Sequence, residues 1–255
     1  MPLEILTIPC LSDNYAFLAH DAASGETALI DAPEAAPILA ALADTGWRLT
    51  QVLLTHHHWD HVEGLAEILA AHPAKVTGAA ADAHRLPPLG AQVSEGDCVQ
   101  IGAETGQVID VSGHTVGHIA YFFPDTPAVF TADSLMALGC GRVFEGTMAQ
   151  MWASLSKLAA LPPETVVYSG HEYTQANGRF AATIDPDNPA LQQRIRAIAA
   201  AREAGRPTVP STLELELATN PFLRAADARI QANLGMTGAD AADVFAEIRA
   251  RKDRF

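Results

Sequence analysis

The stretch Thr55-His56-His57-His58-Trp59-Asp60-His61 gathers four imidazoles and a carboxylate at the end of the apolar run Val52-Leu53-Leu54. Side chains alternate faces in extended chain, so His56 and His58 share one face and His57 takes the other. Two imidazoles then converge on one point. Where the chain turns into a helix beginning near Val62, Asp60 and His61 leave in a new direction and can serve a second ion beside the first. A single histidine is more often a hydrogen-bonding core residue or part of a solvated loop, but His-x-His-x-Asp-His after a buried-type strand is a metal-ligand pattern. His57 faces away from the ions and is assigned to hydrogen bonding or packing behind the ligands.

Three later segments supply the remaining ligands. Gly113-His114-Thr115-Val116-Gly117-His118 follows a strand, and its glycines allow a sharp turn that aims a strand-end side chain into a cleft. His114 is the expected third ligand of the first ion, and His118 is expected to hydrogen-bond behind the ligands, with a catalytic role the alternative. The strand Ala128–Asp133 ends on a carboxylate, a costly place for a charge unless a cation waits there. Asp133 is the expected bridge between two ions. The strand Thr165–Gly170 runs into His171, which completes the second set. One ion thus takes His56, His58 and His114, the other Asp60, His61 and His171, and Asp133 touches both.

Such a centre leaves coordination positions open for a shared hydroxide, the expected nucleophile, with Asp60 and Asp133 as the catalytic carboxylates. Nitrogen and carboxylate donors suit zinc first, and iron or manganese as well. No Gly-x-Ser-x-Gly elbow is present, and Cys140 has no base beside it in sequence. The reaction class that follows is hydrolysis of an activated acyl group; ester, thioester, amide and phosphoester remain open on these residues alone.

At 255 residues the chain can bury a sizeable core as one large domain or a large and a small one. No apolar run reaches membrane-spanning length, and the opening Met1-Pro2-Leu3-Glu4 lacks a basic region followed by an apolar one, so a cytoplasmic protein is expected. Three separated cysteines, Cys10, Cys98 and Cys140, make neither a disulfide framework nor a zinc knuckle. The net charge of −14 argues against nucleic acid or an anionic membrane as partner. That charge is uneven: 6 basic residues face 22 acidic ones up to Pro189, against 10 and 8 beyond it. Nothing demands a partner chain, and a monomer is the expectation.

Short apolar runs at Glu4–Ile8, Tyr15–Ala19 and Thr27–Asp31 predict hairpin strands, Ala35–Thr45 a helix stopped by Gly46, Gln51–Leu54 a strand and Val62–His72 a helix. Further strands are expected between Lys75 and Val111, with Ala79–Arg85 a helical turn and His72 and His84 at the surface. Met148–Leu161 reads as an amphipathic helix. Helices are expected again at Asn188–Ala204, Ala225–Asn233 and Ala239–Arg251, with a short alternating stretch at Glu214–Leu217. This order predicts an α/β sandwich with helices outside and a small helical domain appended.

The metal loop resembles the signature of the metallo-β-lactamase superfamily, and other segments resemble its glyoxalase II (hydroxyacylglutathione hydrolase) branch. These are Asp13-Asn14-Tyr15, Gly113–His118, Thr131–Ser134, Gly139-Cys140-Gly141, Glu145-Gly146-Thr147 and His171-Glu172-Tyr173-Thr174. In the tail, Thr219-Asn220-Pro221-Phe222-Leu223-Arg224 and Arg249-Ala250-Arg251-Lys252-Asp253 are specific for this branch. The resemblance implies an αββα sandwich over residues 1–174 and a helical substrate-binding domain over 175–255. It also implies hydrolysis of S-D-lactoylglutathione to D-lactate and glutathione, a step in methylglyoxal detoxification. By position, Arg249 and Lys252 match residues that bind the glycine carboxylate of glutathione, and Tyr173 another contact to it. Arg142 and Phe144 stand where the pattern has Lys and Tyr. Arginine keeps a charge and a donor, whereas phenylalanine loses a hydroxyl, which bears on affinity more than on hydrolysis. The competing readings are another superfamily hydrolase, a one-iron persulfide dioxygenase and a non-catalytic metal-binding protein. A complete second ligand set and a basic tail count against the one-iron option.

Overall fold

Apolar alternation in the first half of the chain builds a sheet that must be covered on both sides. In the computed structural model, which describes residues 2–255, this sheet has the order β1-β2-β3-β4-β5-β6. Its strands are β1 (Glu4–Cys10), β2 (Asn14–Asp21), β3 (Glu26–Ile30), β4 (Arg48–Leu53), β5 (Lys75–Ala79) and β6 (Ala91–Val93). The first three pair antiparallel through tight turns, and the rest pair parallel. Parallel pairing needs crossover connections, and α1 (Ala35–Thr45) and α3 (Leu65–Ala71) supply two of them. Ala16 and Leu18 of β2, Leu29 and Val52 form one core with Ile38 and Leu42 of α1 and Leu65 and Ile68 of α3. Every residue of β2 is buried, because its other face is covered too.

That second cover is an antiparallel set, β7 (Cys98–Ile101), β8 (Glu104–Asp110), β9 (Ile119–Phe123) and β10 (Ala128–Ala132). Phe17 of β2 meets Phe130 of β10 with ring centres 5.6 Å apart, and Phe123 lies 6.1 Å from Phe130. The buried Tyr121 hydroxyl donates to the Leu54 carbonyl at 2.9 Å, tying β9 to the residue before the histidine loop. These elements form one compact unit, Met1–Val111 with Val116–Thr131.

The second compact unit comprises Ser112–Thr115 and Ala132–Phe255. It contains the two-stranded ribbon β11 (Leu135–Met136) and β12 (Gly139–Cys140), then α4 (Met148–Ala159), β13 (Val166–Ser169), α5 (Thr174–Ile184) and α6 (Pro189–Glu203). After these come β14 (Ser211–Thr212), paired antiparallel with β13, and α7 (Leu213–Thr219), α8 (Ala228–Leu234) and α9 (Ala241–Arg254). Side-chain caps begin most of these helices: Thr147 and Gln150 form a reciprocal capping box on α4, and Asn188, Thr212, Asp227 and Asp240 cap α6 to α9. Among the described residues no helix is long and apolar enough to cross a membrane. These packing units do not share the limits of the division expected at 174/175.

Three elements differ from expectation. The helix expected over Val62–His72 is split into α2 (Trp59–Val62) and α3, and it begins early enough to include Asp60 and His61. Gly64 lies at the break: its amide donates to the Ala32 carbonyl at 2.9 Å, and a Cβ there would sit 2.7 Å from the Ala35 nitrogen. Glu214–Leu217 lies within helix α7; an alternation of four residues is too short to separate the two periods, and the buried positions Leu213, Glu216 and Thr219 follow helical spacing. Helix α5 was not anticipated. Asn177, Gly178 and the threonines Thr174 and Thr183 give it weak intrinsic propensity, and its buried face, including Phe180, Ala181 and Ile184, holds it in place. His84 is exposed and His72 half-buried.

Phe130 is fully buried against two aromatic neighbours. Phe130→Ala is expected to lower unfolding free energy by about 3–5 kcal/mol, measured by denaturant titration.

Candidate metal centre

In the first unit, β3 and β4 end side by side, and the residues just beyond them organise the histidine loop. Asp31 sits at φ 57°, a left-handed conformation that turns its carboxylate away from the strand line. Its Oδ1 accepts the Thr55 amide at 2.8 Å, and its Oδ2 accepts the Thr55 hydroxyl at 2.8 Å and lies 2.8 Å from His61 Nδ1. A carboxylate only accepts, so His61 carries its proton on Nδ1 and its Nε2 is the ring's acceptor atom. The Thr55 hydroxyl has given its one proton to Asp31, so at 3.0 Å it accepts from His56 Nδ1. His56 therefore also presents Nε2. One buried carboxylate sets the tautomer of two rings.

His56 Nε2 lies 3.2 Å from His58 Nδ1, a spacing at which two ring nitrogens can share a cation. Asp60 is held by Asn14, whose amide donates to the Asp60 carbonyl at 3.0 Å and to its Oδ2 at 3.1 Å. His118 is fully buried and stacks on the His56 ring, with centres 4.6 Å apart and planes 12° from parallel. His57 turns the other way: its Nδ1 lies 2.8 Å from Asp82 Oδ2, and Arg85 binds the other oxygen of that buried carboxylate. Asp31, His56 and His61 fall close enough to hold an ion, but both Asp31 oxygens are engaged behind the rings. We place Asp31 as the orienting group rather than a ligand.

The second unit carries the other half of the expected set. His114 Nε2 lies 3.4 Å, and His171 Nε2 3.2 Å, from the same oxygen of Asp133. His114 Nδ1 donates to the Arg142 carbonyl at 2.7 Å, which fixes its tautomer in the same sense as His56 and His61. Asp133 follows Ala132 at φ 41°, and the Ala132 carbonyl accepts the Gly170 amide at 3.0 Å, bringing the exits of β10 and β13 together. These donors fit divalent cations: nitrogens and carboxylate oxygens converge, with the distal ring nitrogens already committed to protein acceptors.

Residues expected to contact substrate lie in the second unit as well. Tyr173 is exposed and stacks on His171 with planes 8° apart, and the exposed Phe144 has its ring centre 5.4 Å from that of His114. Arg142 is exposed, with Nε 3.4 Å from Asp253 Oδ1. Arg249 is buried; it donates to the Cys140 carbonyl at 2.9 Å and to Asp253 at 2.9 Å, and its guanidinium lies 5.2 Å from the Phe222 ring centre. Lys252 is half-buried against Phe180 and Phe255 and donates to the Ala176 carbonyl at 3.4 Å. Burial, with the Arg249 and Arg179 charges adding to it, lowers the Lys252 ammonium to about 8. Burial also pushes the Cys140 thiol up to about 11, so it is protonated near neutral pH and unsuited to nucleophilic attack.

A sequence model of the metallo-beta-lactamase superfamily matches residues 17–171, and one of the hydroxyacylglutathione hydrolase C-terminus matches residues 172–255. A hydroxyacylglutathione hydrolase of Ruegeria pomeroyi is 68% identical, and one of Cereibacter sphaeroides 65% identical, each over the whole of both chains. The chain belongs to the hydroxyacylglutathione hydrolase family of the metallo-β-lactamase superfamily. BLEG-1, a B3 metallo-β-lactamase of known structure, shares the fold with a TM-score of 0.68 at 19% identity, covering 86% of this chain and 99% of its own. The fold is accordingly the αββα sandwich of that superfamily, with a helical C-terminal region of the hydroxyacylglutathione hydrolase type.

Asp31, Thr55 and Asn14 were not singled out as site residues from sequence. A signal existed for Asp31: like Asp133, it ends a buried-type strand on a carboxylate. Asp31→Asn is expected to leave the far-ultraviolet spectrum unchanged and weaken metal affinity about 10–100-fold, measured by competition with a chromophoric chelator.

Proposed function

We propose that this member of the hydroxyacylglutathione hydrolase family hydrolyses S-D-lactoylglutathione to D-lactate and glutathione at a binuclear centre. One ion is assigned His56, His58 and His114, the other Asp60, His61 and His171, with Asp133 shared. The observation that carries this reading is the aim of two imidazole Nε2 atoms at one Asp133 oxygen, matched by the Asp31 network that turns the Nε2 atoms of His56 and His61 into ligands. Two divalent cations, zinc foremost among them, would activate water as a nucleophile and polarise the thioester carbonyl.

This chain's own residues orient the ligands and hold the substrate. Asp31 and the Arg142 carbonyl keep three imidazoles in the tautomer a cation needs. Asn14 holds Asp60 in place. Lys252 and Arg142 offer cations to the carboxylates of the tripeptide, with Tyr173 a further contact to it and Phe144 beside His114. Arg249 is engaged with Cys140 and Asp253, so it supports that surface and contributes its positive field from behind. In functional terms we assign 1–174 to the chemistry and 175–255 to substrate binding, with a monomeric cytoplasmic enzyme as the working state.

Purified protein assayed against a panel of glutathione and simpler thioesters is expected to favour S-D-lactoylglutathione and to hold about two metal ions per chain, as two-ion sites require. Full turnover after metal removal would reject the centre. Release of glutathione from none of the panel by the metal-loaded protein would reject the substrate.

Lys252 gives a pH signature. Its ammonium is charged below about pH 8 and neutral above it, so its attraction for an anionic substrate is lost as pH rises. kcat/KM for the glutathione thioester is expected to fall above about pH 8. Lys252→Ala should remove that limb and raise KM more than it lowers kcat, and a thioester lacking the tripeptide should show no such limb.

A further inference from the structure

The ribbon formed by β11 and β12 is short, buried and gripped almost entirely by side chains from the C-terminal helices. Asn220 Nδ2 donates to the Met136 carbonyl at 3.1 Å and to the Gly139 carbonyl at 3.0 Å. Asn177 of α5 donates to the Ala137 carbonyl at 3.1 Å, and Arg249 of α9 to that of Cys140 at 2.9 Å. The Leu138 amide donates to Glu216 Oε2 at 2.9 Å. Consecutive residues Met136 to Cys140 thus each have a main-chain polar group bound by a side chain far away in sequence. Buried main-chain groups must be satisfied, but local turns usually do this with their own backbone or with water.

The grip is itself rigid. Glu216 and Asn220 are both fully buried. Glu216 also binds Arg194, accepts from Ser211 Oγ at 2.5 Å and lies 3.1 Å from the Asn220 amide that donates to it. Leu138 is held at φ 55°, a left-handed conformation disfavoured for leucine, and its side chain packs with Ala181, Leu191 and Ile198. A Cβ on Gly139 would lie 2.5 Å from Asn177 Nδ2, so the Asn177 amide packs directly on the glycine.

Both ends of this ribbon are attached to proposed metal ligands. Asp133 lies two residues before β11, and at the base of the ribbon the Gly141 amide donates to the Ser134 carbonyl at 3.1 Å. Gly141 passes so close to Asp133 that a Cβ would fall 1.9 Å from its carbonyl oxygen. The next carbonyl, that of Arg142, accepts from His114 Nδ1. A shift of the ribbon therefore moves the carboxylate at one end and rotates the imidazole at the other.

We propose that Asn220, Asn177 and Glu216 are positioning residues for the metal centre, acting through the β11–β12 ribbon on Asp133 and His114. The C-terminal helical segment then helps to set the metal site as well as the substrate surface. This inference rests on the binuclear reading above. A residue that only packs the helices would change stability and leave the affinity of the folded protein for metal untouched.

The test uses full-length wild type, Asn220→Ala and Asn177→Ala, each checked for folding by circular dichroism. Metal affinity is read by chelator competition, ligand geometry by visible absorption of the cobalt-substituted protein, and kcat and KM with the glutathione thioester. Both variants are expected to hold metal about tenfold less tightly or worse, to show an altered cobalt spectrum and to lose kcat with little change in KM. Folded variants with wild-type affinity, spectrum and kcat, differing only in melting temperature, overturn the proposal. If Asn220→Ala does not fold, Asn177→Ala, which removes a single hydrogen bond from the ribbon, decides by the same criteria. Wild type that binds no metal overturns the binuclear reading and this inference with it. Wild type with two ions beside unaltered variants overturns only this inference.

Discussion

An imidazole can bind a cation through only one nitrogen at a time, and something must hold the proton on the other. In this protein a buried carboxylate, Asp31, does so for two rings at once, directly for His61 and through the Thr55 hydroxyl for His56. Its placement depends on the fold, because Asp31 leaves β3 beside the end of β4, where Thr55 leads into the histidine loop. Within the first unit the parallel strands β3 and β4 end side by side, and the residues beyond those ends carry the Asp31 network. Left-handed residues at two exits, Asp31 and Ala132, give the chain the sharp departure that aims a carboxylate rather than continuing a strand.

The same logic of committed acceptors recurs in the second unit with backbone in place of a carboxylate. The Arg142 carbonyl holds His114, and that carbonyl belongs to a segment whose polar groups are bound by Asn177, Asn220, Glu216 and Arg249. Branch-specific motifs of the tail, Thr219–Arg224 and Arg249–Asp253, therefore have structural duties that a substrate-binding role alone would not explain. Asp253 illustrates the overlap: its carboxylate binds Arg249 and sits 3.4 Å from Arg142, so one acidic residue organises both cations beside the ribbon. The relatively basic tail of an acidic chain is partly consumed by such pairs. Arg194 is buried against Glu216, Arg224 is half-buried against Asp185, and Lys252 is left half-buried with a lowered pKa.

Much of this could be read in one dimension. His56, His58, Asp60 and His61 stand out as candidate ligands because these residue types at that spacing have few other uses, and Asp133 because a charge at the end of an apolar strand needs a partner. Helices α1, α4, α6, α8 and α9 follow from periodicity, capping residues and terminal glycines. Less legible were the features whose energy lies in non-local contact. Helix α5 has poor propensity and exists through its buried face, Gly64 divides a periodic stretch because backbone from another element passes close by, and α7 reads as alternating until its three buried positions are known.

Residue identity and spacing alone fix the family, the acidic character of the chain and the clustering of imidazoles and carboxylates into motifs. Tertiary structure alone decided which atoms those residues present. The Nε2 choice of His56, His61 and His114, the service of Asn14 to Asp60, the burial of Arg249 and the depressed pKa of Lys252 all arise from groups remote in the chain. Hydrogen bonds and desolvation act over a few ångströms of space whatever the separation in sequence, and only the folded chain fixes those distances.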